Sequence, residues 1–307
     1  MSGATSGDLN RAMNGAMSGA TLSIRNLTLE FRGHSATTRV LHGISLDIAK
    51  GERVALVGES GSGKSVTARL VLGLLQGQRG VRVGGQLAFE GRDLATLSNG
   101  QRAALRGTRM TMIFQDPTSS LNPVYPIATQ FAEVLRRSDA KLREAAARAR
   151  MITLLAEVAI GEPERVLASY PFQLSGGMNQ RVMIAMAMAN APALLIADEP
   201  GTALDVTVQA QTLDLMRGLV ARQGTSVLFI SHNLGVVREF ADRIYVIYKG
   251  RIVESGPTGA VFARPGHAYT QALLAAVPRL TGGGLPDITE ASEAFLAPGV
   301  VHPQVAR

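Results

Sequence analysis

Arg53-Val-Ala-Leu-Val-Gly-Glu-Ser-Gly-Ser-Gly-Lys-Ser65 decides how this chain is to be read. A short apolar run ends in a glycine-rich turn, and Lys64 to Leu75 then show helical spacing and good helix formers. Strand, loop and helix follow one another, with Gly58, Gly63, Lys64 and Ser65 at the positions of a phosphate-binding loop. Glycines let the backbone N–H groups turn inward as a nest, and the helix start adds positive partial charge. Gly58, Glu59, Ser60, Gly61, Ser62, Gly63, Lys64, Ser65 and Val66 are therefore the expected phosphate cradle. Lys64 would meet the β- and γ-phosphates, and the Ser65 hydroxyl a Mg²⁺ ion. A merely flexible Gly/Ser turn is the alternative, and the flanking strand and helix argue against it.

Working outward, the apolar residues alternate on the N-terminal side, at Leu22, Ile24, Leu27, Leu29 and Phe31 and again at Leu41, Ile44, Leu46 and Ile48. Antiparallel strands with a loop over Arg32 to Thr38 are predicted. On the C-terminal side, Ala193 to Asp198 and Ser226 to Ser231 read as buried strands, separated by helices over Met178 to Asn190 and Val206 to Arg222. Apolar strands alternating with helices predict a parallel sheet covered on both faces. A helical stretch over Ala140 to Ala159 is predicted as an insertion between the two halves of the sheet, and a short helix near Tyr269 to Val277 follows the change of character at Pro257.

Asp198-Glu199 closes a wholly apolar strand, at the edge where open α/β sheets bind ligands. Asp198 is expected to hold Mg²⁺ and Glu199 to polarise an attacking water. His232 follows the next buried strand and should emerge beside Glu199, poised for a γ-phosphate contact. Gln115 ends another apolar stretch, Met110 to Phe114, and is a candidate to position metal or water; by spacing alone either reading stands.

The 307 residues carry a net charge of +7, 46% hydrophobic and 18% charged residues, and no cysteine. Disulfides, thiolate metal sites and cysteine nucleophiles are excluded, and a disordered chain is not the reading. The basic residues form no long block, so a solvated surface is expected rather than a nucleic-acid partner. The longest apolar stretch, Val182 to Ala197, is broken by Asn190 and Pro192 and falls short of the roughly 20 residues that cross a bilayer. Residues 1–20 are expected to form a disordered tail without a secretory signal.

Leu174-Ser-Gly-Gly-Met-Asn-Gln180 lies between the phosphate loop and Asp198, and resembles the signature sequence of ABC ATPases. With Gln115, Ala203-Leu204-Asp205 and His232 in this order, the resemblance spans roughly Leu22 to Gly256. It implies an α/β fold: a P-loop ABC ATPase domain over 21–256 with a mixed sheet core, an antiparallel β subdomain and a helical signature subdomain at about 116–178. It also implies a head-to-tail dimer, in which Ser175, Gly176 and Gly177 serve the ATP held by the partner's phosphate loop. Phe31 matches the adenine-stacking position, and Asp205 the loop that crosses the dimer interface. Gly201, where Ser or Thr is frequent, and Asn179, where relatives have Arg, depart from the family pattern.

GESGSGKSVT, the run Gln115-Asp-Pro-Thr-Ser-Ser-Leu-Asn-Pro123, QRVMIAMAMA and ALDVTVQAQ resemble the peptide and nickel importer branch in particular. The region 257–307, with Arg264-Pro-Gly-His-Ala-Tyr-Thr-Gln-Ala-Leu-Leu274, resembles the C-terminal extension of these importers, with Ala268 in place of a proline. His267 there is expected to be structural, without metal. The resemblance implies an ATP- and Mg²⁺-dependent subunit at the cytoplasmic face of a bacterial inner membrane. Its expected partners are a second, different ATPase subunit, two transmembrane permease subunits that dock near the stretch after Gln115 and, indirectly, an extracytoplasmic solute-binding protein. Peptides, nickel chelates, and glutathione-like or opine-like compounds are the solutes left open. A soluble ABC ATPase acting on ribosomes or DNA, or an exporter subunit, is the alternative.

Overall fold

A computed structural model describes residues 19–33, 36–115, 120–201, 205–276, 295 and 297–303 of the chain. The alternating N-terminal segment forms the long strands β1 (Ala20–Arg32) and β2 (Thr37–Ala49), which pair antiparallel. Together with β4 (Val81–Phe89) and the short β5 (Arg92–Asp93) they make a four-stranded sheet in the order β2-β1-β4-β5. Strand β1 includes Ala20, so the expected N-terminal tail is shorter than 1–20 by at least that residue, and residues 1–18 lie outside the described ones.

The second sheet is built on the apolar runs. Strands β3 (Arg53–Val57), β6 (Met110–Ile113), β7 (Leu194–Asp198) and β8 (Ser226–Ser231) are parallel neighbours, and β9 (Arg243–Tyr248) lies parallel beside β3. Antiparallel β10 (Arg251–Pro257) and the two-residue β11 (Val300–Val301) complete the order β11-β10-β9-β3-β8-β7-β6. The sheet is thus mixed, with a parallel centre.

Period-two alternation sorts each central strand onto two cores. Val54, Leu56, Leu194, Ile196, Leu228 and Ile230 face a cluster that includes Leu22, Ile24 and Leu41 of the antiparallel sheet and Leu70 and Val71 of helix α1 (Lys64–Val71). Ala55, Val57, Leu195, Ala197, Val227 and Phe229 face the opposite cluster, which also holds Phe131, Leu155, Ile184 and Leu219. Strands buried on both faces must be apolar throughout, which is why these runs carried no polar alternation.

Helix α1 stops at Val71, short of the predicted Leu75, where the chain turns through Gly73 at φ +68°. Helix α2 (Asn99–Leu105) begins with a capping box of Ser98 and Gln101, a signal left unread in the sequence. The helical insertion comprises α3 (Ile127–Arg136), α4 (Glu144–Glu157) and α5 (Pro163–Ala168), so the predicted 140–159 helix is shorter at both ends and has a neighbour on each side. Phe131, Leu135, Met151 and Leu155 seat the insertion on the core. Helix α6 (Gly176–Met188) starts two residues before its predicted start, capped by Ser175, and α7 (Val206–Gln223) is capped by Asp205. Helix α8 (Leu234–Phe240) leads into β9. Among the described residues no helix is long and apolar enough to cross a membrane.

The C-terminal extension does not stand apart from this core. After α9 (Thr258–Ala263) and α10 (Ala268–Ala275) the chain returns as β11 against β10. Glu254, fully buried in β10, accepts hydrogen bonds from the Gly266 amide at 2.7 Å and the His267 amide at 3.1 Å, and its Oε1 lies 2.6 Å from His302 Nε2. Burial alone would push this carboxyl up; the polar groups around it, the Thr270 hydroxyl among them, outweigh that and hold it below the ordinary value of 4.5. A carboxyl held low when folded contributes stability that is fully present above its unfolded value and lost as pH falls through the folded one. Glu254→Gln, which turns an NH₂ group toward N–H donors, is expected to cost about 1–3 kcal/mol at pH 7. It should also flatten the fall in wild-type stability below pH 4.5, measured by urea unfolding at stepped pH.

Candidate nucleotide site

The phosphate loop leaves β3 and enters α1 over residues 58–63. Gly58 adopts φ +156°, and a Cβ there would lie 2.1 Å from the Ile247 carbonyl oxygen of β9. Only glycine allows so close a pass of two backbones. Gly63 sits at φ +107° just before α1, with Thr67 Oγ1 donating back to its carbonyl at 2.8 Å. Behind the loop, the Gly250 amide donates to the Ser62 carbonyl at 3.0 Å, and the Glu59 amide to the Tyr269 hydroxyl at 3.0 Å.

Lys64 Nζ donates to the Gly58 and Glu59 carbonyls at 2.8 and 2.7 Å. Burial pushes its pKa down, against the opposing pull of Glu199 and Asp198. Ser65 Oγ lies 3.2 Å from Asp198 Oδ1 across the gap between α1 and β7. Burial pushes the Asp198 carboxyl up, and the hydrogen bond from Ser65 opposes it.

Glu199 follows directly at φ +50°, in the left-handed region that costs a non-glycine residue energy, with its amide held by the Ile230 carbonyl at 2.8 Å. Its carboxylate lies between two partners. Gln115 Nε2 donates to Oε2 at 3.0 Å, and His232 Nδ1 lies 2.9 Å from Oε1. Glu199 is largely covered, with 15% of its side chain exposed, while His232 is 56% exposed at the rim.

One cavity is lined by Ser60, Gly61, Gly63, Lys64, Ser65, Val66, Gln115, Glu199 and His232, with Val40 of β2 closing its side. Val40 was not singled out in the sequence, because an apolar residue in an alternating strand gives no ligand signal. Phe31 lies elsewhere: near the end of β1, paired with Thr38 and Val81 and half-buried against the core that holds Leu22 and Leu41. A separate cavity of about 630 Å³ is lined by Ser175, Gly176, Gly177 and Asp205, with Arg165 and Arg181 at its margin. Both Ser175 and Asp205 cap helices, accepting from Met178 N at 3.3 Å and Val208 N at 2.9 Å. The chain therefore carries two separate cavities, one at the glycine-rich loop and its carboxylates and one at a helix start rich in glycine.

A family model described as ABC transporter matches residues 41–202, and one described as the C-terminal region of oligopeptide/dipeptide transporters matches 253–295. The chain belongs to the ABC transporter ATP-binding family. It is 50% identical over 278 residues to the peptidoglycan transport ATP-binding protein YejF of Agrobacterium fabrum, covering 91% of this chain and 50% of that protein. It is 45% identical over 268 residues to the oligopeptide transport ATP-binding protein OppD of Bacillus subtilis, covering 87% and 75%. The chain thus spans half the length of the first relative and three quarters of the second. Among solved structures, a dimeric ATP-binding cassette in a post-hydrolysis state with ADP and Pi superposes with a TM-score of 0.68 at 26% identity, over 77% of this chain and 98% of that one. These relatives favour the transporter reading over a soluble ATPase of ribosomes or DNA.

Gly58→Ala is expected to abolish nucleotide binding and to lower the melting temperature, since its Cβ would collide with the Ile247 carbonyl. Titration with a fluorescent ADP and a melting curve, compared with wild type, check both.

Proposed function

We propose that this cassette binds and hydrolyses ATP as one half of a head-to-tail dimer and so drives a separate membrane permease that imports peptides or related small solutes. The observation that carries the reading is the convergence of Gln115, Glu199 and His232 beside Lys64 and Ser65 in one cavity. Lys64 takes the β- and γ-phosphates, and its three N–H donors let it keep a loop carbonyl as it does so. Glu199 accepts a proton from the attacking water, Gln115 orients that carboxylate, and His232 meets the γ-phosphate from the exposed rim. The family resemblance gives Phe31 to the adenine, although it lies outside the cavity that holds Lys64 and Ser65.

The Ser65 hydroxyl, the Asp198 carboxylate and the Gln115 side-chain amide offer oxygen donors suited to a hard cation, and the first two already lie 3.2 Å apart. They fit Mg²⁺, which when bound neutralises charge on the phosphates. Burial raises the Asp198 carboxyl, and a bound cation would oppose that shift.

Ser175, Gly176 and Gly177 complete the partner subunit's site rather than their own, which accounts for their lining a cavity apart from Lys64. Asp205 stands at the same interface. A different ATPase subunit is the proposed partner. An apolar groove lined by Leu72, Leu74, Met112, Phe114, Leu121 and Met183 is the proposed seat of the permease. Phe114 is 45% exposed there, immediately before Gln115, so a docked permease is coupled to the carboxylate through one residue. Residues 116–119 of the coupling stretch lie outside the described residues. On this reading the cassette works at the cytoplasmic face of the bacterial inner membrane, with the solute selected by the permease and its extracytoplasmic binding protein.

Glu199→Gln is expected to keep nucleotide affinity and lower steady-state ATP hydrolysis by about 10²–10⁴-fold, the range of general-base catalysis. Phosphate release by the variant in its assembled transporter is the measurement, and an unchanged rate would remove Glu199 from the proposed role.

A further inference from the structure

The peptide unit that joins Gly58 to Glu59 is gripped at both ends. Its carbonyl accepts from Lys64 Nζ at 2.8 Å, and its N–H donates to the Tyr269 hydroxyl at 3.0 Å. The first partner is the lysine of the phosphate loop. The second comes from α10 in the C-terminal extension, 210 residues further along the chain.

Tyr269 is placed for this contact by several independent supports. Its side chain is fully buried, and its ring packs on Tyr248 at 4.4 Å and edge-on to Phe295 at 5.5 Å. Its own amide is held by His267 Nδ1 at 3.2 Å, and His267 in turn by Glu254 and, at 3.3 Å from Nε2, by the Ala297 carbonyl. Burial also pushes the phenol's pKa well up, so the hydroxyl keeps its proton at any working pH. The extension thus presents one polar group to the loop, on a rigid mount.

Resting on the nucleotide-binding reading above, we propose that Tyr269 is a positioning residue for the phosphate loop, so that docking of the C-terminal extension sets the affinity for nucleotide. Rotation of the Gly58–Glu59 peptide would withdraw the carbonyl that aims Lys64 and move the amides of Ser60 and Gly61 that follow it. Tyr269 prevents that rotation from the side opposite Lys64. A loop already held in one conformation loses less freedom when phosphate binds, and tighter binding follows without any contact between Tyr269 and the nucleotide. By linkage, bound nucleotide must hold the extension more firmly in place by the same factor.

The test uses the full chain and Mg·ADP as probe. Tyr269→Phe keeps the ring packing and removes the hydroxyl alone. Its Kd for Mg·ADP is expected to rise about fivefold to tenfold, because the nucleotide must then order the loop itself. The melting temperature of the nucleotide-free protein should move little by comparison, and hydrolysis at saturating ATP should stay within about twofold of wild type. A Kd unchanged from wild type overturns the proposal whatever the melting temperature does, because a purely structural tyrosine would shift stability and leave affinity alone. If the variant fails to fold, hydrogen exchange on the wild-type protein decides. Mg·ADP should slow exchange over residues 266–276, and no change there overturns the coupling. A wild-type chain that bound no Mg·ADP would overturn the nucleotide reading itself, and the coupling with it.

Discussion

The parallel pairing of β3, β8, β7 and β6 is the constraint on which the site depends. The register sets Val57 opposite Ser231, Asp198 opposite Ile230 and Ile113 opposite Ala197, so four strands end within a residue or two of one another on one edge. Each releases a functional group there: the phosphate loop after Val57, Gln115 after Ile113, Glu199 after Asp198, His232 after Ser231. A slip of one residue in any pair would turn an apolar side chain into the site and a polar one into a core.

That geometry explains why the chemistry was readable along the chain. Phosphate-loop glycines, a carboxylate pair after an apolar run and a histidine after the next run each identify a strand end, and parallel strands place such ends together. The parallel centre followed from the apolar runs and the antiparallel β1–β2 pair from alternation, whereas the mixed character of the larger sheet was implied only by the family resemblance. Other elements were less legible for definite reasons. Strand β4 carries Gly84 and Gly85 and exposed Arg82 and Gln86, so its alternation is faint. Helix α3 begins after Pro126 with no side-chain cap, leaving only its apolar spacing as a signal. The end of α1 hinged on the positive φ of Gly73, which helical periodicity cannot foretell.

Contacts between distant segments were illegible altogether. Val40 reaches the cavity from β2, and the Tyr269 hydroxyl reaches Glu59 from the C-terminal extension, and neither residue type advertises such a contact. His267 caps α10 through Nδ1, and Glu254, which holds its amide, looks in sequence like any strand carboxylate. Its burial required the return of the chain through His302, a closure over 48 residues.

Burial acts with opposite sign on the two charged groups at the heart of the site. Lys64 is pushed toward its neutral form and Asp198 toward its protonated form, so each is less comfortable as an ion here than in water. Hydrogen bonds from Lys64 to two carbonyls and from Ser65 to Asp198 relieve this only in part. A ligand that brings phosphate to Lys64 and a divalent cation to Asp198 would add to the countercharges that their neighbours already supply. The free site is therefore held away from its electrostatic optimum by the same burial that builds the sheet. The glycine-lined loop and the strained Glu199 backbone hold that arrangement open rather than letting the groups collapse onto one another. Binding energy then arises from completing a preorganised but undercompensated set of charges, which favours a metal-bound polyphosphate over a simple anion.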